Sequence, residues 1–219
     1  MVKEKMRTTG RRFLDFFCAG VVTLFGLVLL PEAVPLPGQT LRSSTAEIVL
    51  TLDPAQSNLH WKVDSTLHMV HGTFALKSGT VRLNSETGDA SGEITVSAPS
   101  GESGNSSRDK RMHKEVLETA KYPDVIFHPH HFEGKVVDGK VKGTGISDGK
   151  LSGVLSIHGA DHDVTALVHA DLKGGQWTGT STFEVPYVKW GIKDPSNFVL
   201  KVKPVVTVEL EMSGQVTTN

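Results

Sequence analysis

Apolar and polar side chains alternate along much of the chain after residue 46, and this pattern constrains the fold more than any other feature of the sequence. In the stretch 206–212, VTVELEM, every second residue is apolar. The same period of two recurs at 59–64, 81–84, 94–97 and 164–170. Because successive side chains of a β-strand point to opposite faces, each of these segments is predicted to be a strand with one apolar face and one face in water.

Turn-forming residues separate the predicted strands at short intervals. They lie at Ser85–Gly88, Val137–Gly139, Ser147–Gly149, Gly159–Asp163 and Lys173–Gly175. Short connections join antiparallel neighbours, and alternation argues against a parallel sheet buried under helices on both faces. We therefore predict an all-β domain of eight or nine antiparallel strands, closed into a barrel or packed as a sandwich.

Two segments break the alternation. Ser107–Tyr122 is rich in helix-forming residues and stops before Pro123, which predicts one helix of about three turns lying across the barrel or over its end. Thr66–Gly72, TLHMVHG, is predicted to form either a short helix or a β-bulge.

The first 45 residues differ in composition from the rest. Five basic residues and one acidic residue within 1–12 precede an apolar run, Phe13–Leu30, that only Asp15 interrupts, and three prolines follow in 31–37. This layout is typical of a secretory signal, with an uncleaved membrane anchor as the alternative. We predict a signal peptide or anchor with a proline-rich linker at 1–45, and one barrel domain at 46–219 that is periplasmic or secreted, or anchored and facing the periplasm.

The composition of residues 46–219 excludes several classes of site. The single cysteine, Cys18, lies in the N-terminal segment, so the domain has no disulfide, thiolate nucleophile or cysteine zinc site. Seventeen basic residues against twenty-one acidic ones, with no basic block, argue against nucleic-acid binding. There is no nucleophile elbow, phosphate-binding loop or helical two-histidine zinc motif, and we predict that the protein is not an enzyme.

Histidines are the main candidates for chemistry in this domain. On a strand, His128 and His130 of the run FHPHHF share a face and could ligate one metal ion, with His131 beside them. Because Phe127 should point inward, however, His128 and His130 should face solvent. His158 and His162 flank a predicted turn, where polar residues commonly make local hydrogen bonds. An exported metal-binding protein or enzyme that uses His128, His130 and His131 is therefore the alternative to a site inside the barrel, and a filled barrel serving as an interaction module is a third.

Five ordered motifs resemble the YceI family of exported polyisoprenoid-binding proteins, across residues 48–213. They are Leu52-Asp53-Pro54-Ala55 with Ser57, Gly72-Thr73-Phe74, Arg108-Asp109 leading to Tyr122-Pro123 and Phe127, Ile157-His158-Gly159, and Trp190-Gly191-Ile192. The sequence departs from the family pattern in the helix, where aliphatic residues at 116–117 replace aromatic ones, and at Trp190, where Phe is usual.

The resemblance implies an extended, eight-stranded, lipocalin-like antiparallel barrel with one helix near its mouth. It also implies a hydrophobic ligand, a polyprenyl or acyl lipid, in the interior, with no cofactor, and it leaves transient membrane contact and a homodimer open. The residues then expected to line the tunnel, with Tyr187 meeting the head group, are Trp61, Phe74, Leu76, Phe127, Leu155, Ile157, Phe183, Tyr187 and Trp190.

Overall fold

The structure, a computed structural model, describes residues 47–134 and 145–218. Its strands are β1 (Glu47–Leu52), β2 (Asn58–Asp64), β3 (Met69–Asn84), β4 (Ala90–Glu102), β5 (Asp124–Gly134), β6 (Gly145–Ile157), β7 (Ala160–Lys173), β8 (Gln176–Val185) and β9 (Val206–Thr218). The helical elements are a 3-10 turn (Pro54–Gln56), α1 (Ser106–Arg111) and a π-helical turn (Met112–Val116). The predicted signal segment and the predicted turn at Val137–Gly139 lie outside the described residues. No helix within the described residues is long and apolar enough to cross a membrane.

The nine strands form one antiparallel sheet that closes on itself. Neighbours follow the order β1-β3-β2-β9-β8-β7-β6-β5-β4, and β3 also pairs with β4. Both β1 and β2 lie between β3 and β9, β1 beside 80–84 and 214–218, β2 beside 69–74 and 207–211. The two short strands therefore share one position, and the predicted eight-stranded antiparallel barrel is confirmed. With sixteen residues, β3 is about 50 Å long, which makes the barrel an extended one.

The break between β1 and β2 is a 3-10 turn held by local hydrogen bonds. Pro54 cannot donate a backbone hydrogen bond, so the chain leaves the sheet at this point. The Asp53 side chain accepts from Ala55 N at 3.0 Å, and Asp53 N donates to Ser213 O at 2.8 Å. The Ser57 hydroxyl donates to Asp53 O at 2.8 Å, and β2 begins at the next residue. The motif Leu52–Ser57 is thus the joint of one interrupted strand.

The helix is shorter than predicted. The Asn105 side chain caps its start by accepting from Ser107 N and Arg108 N, but regular α-helix ends at Arg111. The wider turn that follows ends when Leu117 N donates to Met112 O at 2.8 Å, and Glu118 then adopts a left-handed φ of 47°. Helix propensity over 107–122 does not predict this end of the helix, because residue composition does not determine the backbone geometry that ends it.

Three further local predictions were wrong, one of them the turn at Gly159–Asp163: β7 begins at Ala160, so the turn consists of His158 and Gly159 alone. Thr66–Gly72 forms neither a helix nor a bulge: residues from Met69 onward belong to β3 and pair with β2, after a turn closed by Ser65 N donating to His68 O at 3.2 Å. The predicted turn at Ser147–Gly149 lies inside β6. A Cβ on Gly149 would lie 2.6 Å from the Phe132 ring, so this glycine allows close packing rather than a turn. The turns at 85–88 and at 174–175 occur as predicted.

The connections divide between the two ends of the barrel. One end, which we call the mouth, is formed by the β2–β3 loop (65–68), the helical segment (103–123), the β6–β7 turn (158–159) and the β8–β9 loop (186–205). The other end carries the β3–β4 and β7–β8 turns. The inward faces of the strands supply the buried core, which includes Leu59, Leu76, Val96, Leu155 and Leu210.

The barrel cavity as candidate functional site

The interior of the barrel is not filled by side chains. A cavity of about 620 Å³ extends inward from the mouth, within the range of small-molecule sites in proteins. Its wall consists of inward-facing residues of β2 and β4–β9, together with the first half of β3, and its rim is formed by the helical segment and the β2–β3 and β8–β9 loops. The wall is almost wholly apolar, and Ser181 is a buried polar residue among its aliphatic neighbours.

Seven of the nine predicted lining residues face the cavity: Trp61, Phe74, Phe127, Leu155, Ile157, Phe183 and Tyr187. Leu76 and Trp190 lie outside its wall. Leu76 is buried in the core where β3 changes register against β4, and the Trp190 ring stacks on His162 with centroids 4.2 Å apart. Phe74 and Leu76 are two residues apart on β3, a spacing that predicts the same face of the strand, but only Phe74 lines the cavity.

Several wall residues were not among the predicted ones. Val164, Ala166, Val208 and Leu210 lie on the apolar face of alternating strands, so the period of two could have identified them. Ile192, Leu200 and the helix residues Met112 and Val116 also contribute. These belong to loops and a short helix, where no sequence period indicates which side chain points inward.

Two polar atoms lie buried in this apolar wall without a partner. Among the described residues, neither Trp61 Nε1 nor the Tyr187 hydroxyl has a hydrogen-bond partner. Burial, with a smaller contribution from the negative charge of Asp194, raises the pKa of Tyr187 to about 12. Tyr187 is therefore a neutral donor at physiological pH. Because an unpaired buried polar group is costly, both atoms are suited to bind a polar group that enters the cavity.

The raised pKa of Tyr187 predicts a pH dependence of stability. In the unfolded chain the hydroxyl loses its proton near pH 10.0, whereas the folded protein keeps it until about pH 12. The stabilisation is complete below pH 10 and is lost as the pH rises through the folded pKa, so the free energy of unfolding should fall between these values. Urea unfolding at a series of pH values measures this fall, and Tyr187→Phe should lack this component. If the free energy of unfolding depended on pH in the same way in both proteins, Tyr187 would not be the group with the raised pKa.

The helical segment is held by hydrogen bonds within itself and to the end of β4, and it covers part of the mouth. The Arg108 guanidinium donates to the Ser103 carbonyl at 2.5 Å, and Asp109 accepts from Ser103 N at 2.9 Å. The ring of His113 bonds the Gly101 carbonyl at 2.9 Å. Lys193 of the β8–β9 loop pairs with Glu115 at 2.8 Å, and its hydrogen bond and charge lower the pKa of that carboxyl. Polar contacts thus hold the rim, while the helix turns Met112 and Val116 toward the cavity.

A second cavity of about 100 Å³ lies deeper in the barrel, lined by residues such as Leu50, Leu83 and Trp177. Four side chains line both cavities: Ile94, Leu151, Val168 and Met212. These four side chains lie between the two cavities, and we call them the floor of the larger one.

The histidine cluster lies on β5, away from the cavity wall. His128, His130 and His131 are all exposed, and Phe127 points inward as predicted. A register shift between Pro129 and His131 places His130 at the irregularity of the strand, and His128 Nδ1 lies 3.3 Å from the Gly92 carbonyl. The described residues hold no group of three or more histidine, cysteine or acidic side chains placed to bind a metal ion.

The chain is similar to solved structures of known barrels. BcnA of Burkholderia cenocepacia matches with a TM-score of 0.59 and 15% identity, over 75% of this chain and 99% of that one. A polyisoprenoid-binding domain from Saccharophagus degradans, implicated in plant cell wall breakdown, matches with a TM-score of 0.55 and 16% identity, over 76% of this chain and 98% of that one. Both chains are matched almost end to end, so a barrel of this kind is a complete folding unit.

A search of curated proteins finds no match to the chain. The family model of the YceI-like domain, in contrast, matches residues 50–214, a range that begins in β1 and ends in β9. This range includes all or part of every described strand and the whole of the rim. The chain therefore belongs to the YceI family.

Proposed function

We propose that this protein is an exported, non-enzymatic carrier that holds a polyisoprenoid or a similar long-chain amphiphile inside its barrel. The observation that carries the proposal is an apolar cavity of about 620 Å³ that opens at one end of the barrel. Burial of each CH₂ group contributes about 0.8 kcal/mol, so a long hydrocarbon tail gains strongly from such a wall and needs no charged contact along its length. The polyisoprenoid-binding neighbour supports the same ligand class. Export rests on the sequence of residues 1–45, whose basic start and apolar run are typical of a signal.

The distribution of polar groups orients the ligand in this proposal. The tail lies along β6–β9 and ends at the floor formed by Ile94, Leu151, Val168 and Met212. The polar head lies toward the rim, which offers the Tyr187 hydroxyl and polar side chains of the helical segment such as Asn105 and Arg108. A head group with a hydrogen-bond acceptor satisfies Tyr187, which has no partner among the described residues.

Native mass spectrometry of the exported protein, purified without detergent, tests the proposal directly. We expect one additional mass per protein that extracts into organic solvent as a prenyl or acyl lipid. Replacing His128 and His130 together by alanine should leave this lipid content unchanged, because both side chains lie outside the cavity. A bare protein mass that persists after incubation with polyprenols, quinones and fatty amides would overturn the carrier function.

Tyr187→Phe tests the head-group contact. We expect the variant to bind a long-chain polyprenol about 5- to 100-fold more weakly, since the head group loses its donor. The lipid-free variant should be as stable as the parent or slightly more so, because an unpaired buried hydroxyl has been removed. Fluorescence titration and urea unfolding measure the two effects. The corresponding prenyl hydrocarbon, which has no head group, is the control ligand and should bind both proteins equally; an equal loss for both ligands would show that Tyr187 acts by shape alone.

A further inference from the structure

The exposed apolar side chains of the barrel are concentrated at its mouth. Within the described residues, the large apolar side chains that project into water are Leu67, Met69, Leu167, Val188, Phe198 and Val199. Only Leu167 lies on the barrel wall, and the other five lie on the β2–β3 loop, the first residue of β3 and the β8–β9 loop. Phe198 is 97% exposed, Val199 77% and Leu67 71%. We call Leu67, Met69, Phe198 and Val199 the mouth surface.

The mouth surface is held in place by hydrogen bonds. The Asn197 side chain accepts from Val199 N at 2.9 Å and from Leu200 N at 2.7 Å, while Asn197 N donates to Leu200 O at 2.8 Å. These bonds form a turn with Phe198 and Val199 at its tip. The β2–β3 loop is joined to the same segment, since Thr66 N donates to Lys201 O at 2.9 Å. Apolar residues fixed at the tip of an ordered turn are displayed to solvent, which is unfavourable in a protein that stays in water.

Positive charge accompanies the apolar side chains. The β8–β9 loop, residues 186–205, contains four lysines and one acidic residue, and the helical residues 106–116 contain four basic residues and two acidic ones. Lys193 pairs with Glu115 and Lys203 with Asp64, whereas no carboxylate among the described residues forms an ion pair with Lys189. Residues 46–219 as a whole carry four more acidic than basic side chains. The mouth is thus the positive end of a negative domain.

The same loops also border the cavity. Leu67 and His68 of the β2–β3 loop, and Leu200 and Val202 of the β8–β9 loop, line its rim, next to the outward-pointing Phe198 and Val199. A body that covers the mouth surface therefore also covers the cavity entrance. A lipid bilayer with anionic head groups complements both features, because its interface accepts apolar side chains and attracts lysine.

We infer that the mouth surface docks on the surface of an anionic lipid bilayer, with Phe198, Val199 and Leu67 inserted at the interface and the cavity entrance facing the lipids. A long-chain ligand then passes between bilayer and cavity without crossing water. Docking itself does not require an occupied cavity, so it is separable from the proposed carrier function.

Vesicle co-sedimentation of the barrel, residues 46–219, tests the inference without interference from the N-terminal apolar run. The probes are vesicles of pure phosphatidylcholine and vesicles that contain about one third phosphatidylglycerol. We expect binding to the anionic vesicles that weakens as salt is added. Phe198→Ser combined with Val199→Ser, two residues that do not line the cavity, should lower the partition coefficient by about 10- to 100-fold. Leu167→Ser removes an apolar side chain that is 62% exposed on the barrel wall, and as the matched control it should bind like the parent.

Hydrogen exchange in the presence of the same vesicles locates the contact. Protection of 65–69 and 196–203, in the parent but not in the double variant, supports docking at the mouth surface. Three results would overturn the inference: equal binding by the parent and the double variant, an equal loss of binding in Leu167→Ser, or no vesicle binding at all. The last result would favour a protein partner for this surface. Lipid extraction from the same samples separates the two proposals. A double variant that keeps its lipid but loses vesicles supports docking, and a lipid-free parent that still binds vesicles contradicts the carrier function alone.

Discussion

Replacing Leu155 by tryptophan is expected to empty the barrel of lipid while leaving the protein folded. Leu155 lies on the inward face of β6 and lines the cavity, so a larger side chain there occupies space that the ligand needs. We expect the lipid-to-protein ratio measured by native mass spectrometry to fall, because a loss of ~1.4 kcal/mol in binding already weakens the affinity tenfold. Leu167→Trp adds the same side chain to the outer wall and should leave the ratio unchanged.

The stability of the delipidated Leu155→Trp protein distinguishes an open barrel from a filled one. In a filled core, overpacking typically costs 1–3 kcal/mol, which lowers the melting temperature of a domain of this size by roughly 2–4 °C per kcal/mol. An open cavity accommodates the ring, so we expect little change in the melting temperature. Both proteins must be compared without lipid, because a bound ligand stabilises the folded state by itself. A strongly destabilised variant would show that the barrel is filled, and would favour a role as an interaction module.

Gly72→Ala is expected to destabilise the protein by about 3 kcal/mol or more, a large effect for the addition of one methyl group. Gly72 on β3 lies directly opposite Trp61 on β2. A Cβ at this position would lie 2.0 Å from the Glu102 carbonyl oxygen and 2.6 Å from two carbons of the Trp61 indole. The carbonyl belongs to the backbone of β4 and cannot rotate away, so the strands must separate.

Urea unfolding of Gly72→Ala and of Thr73→Ala measures this effect. Thr73 is the exposed neighbour on the same strand, and its replacement tests β-propensity alone, which accounts for about 1 kcal/mol at most. The indole of Trp61 should also move in the Gly72 variant, because the indole now lies over the position that the new methyl group would take. A shift in tryptophan fluorescence is therefore expected. Equal stability of the two variants would mean that β4 is free to move at this point.

The sequence predicts the barrel well because alternation reports directly on burial. The strands around 59–64, 164–170 and 206–212 occur where the period of two places them, and their apolar faces line the cavity. Inward orientation of Phe127 follows from the same rule. Helix-forming residues at 107–122 predict the helix, and the family motifs add its place near the mouth.

The rim was predicted less well, because its structure depends on contacts between distant segments. Helix α1 ends at a π-helical turn, and its start is held by Arg108 and Asp109, which both bind Ser103. Trp190 of the β8–β9 loop stacks on His162 of β7 and therefore lies outside the cavity wall, where its apolar character had placed it. Local propensity includes none of these partners. Among the described residues the Tyr187 hydroxyl has no hydrogen-bond partner, and this too cannot be predicted from the sequence, because it depends on which residues the fold places around it.

The pairing of β1 and β2 with β9 has a consequence for how this protein folds. The first strands of the barrel complete their hydrogen bonds only with the last one, as in the pairs Ile48 with Thr218 and Leu59 with Leu210. The barrel therefore cannot close before the whole chain is available. Contacts between residues so far apart in sequence slow folding to the range of milliseconds to seconds or beyond. The barrel therefore stays open until its last strand is available, a property that suits the export proposed above.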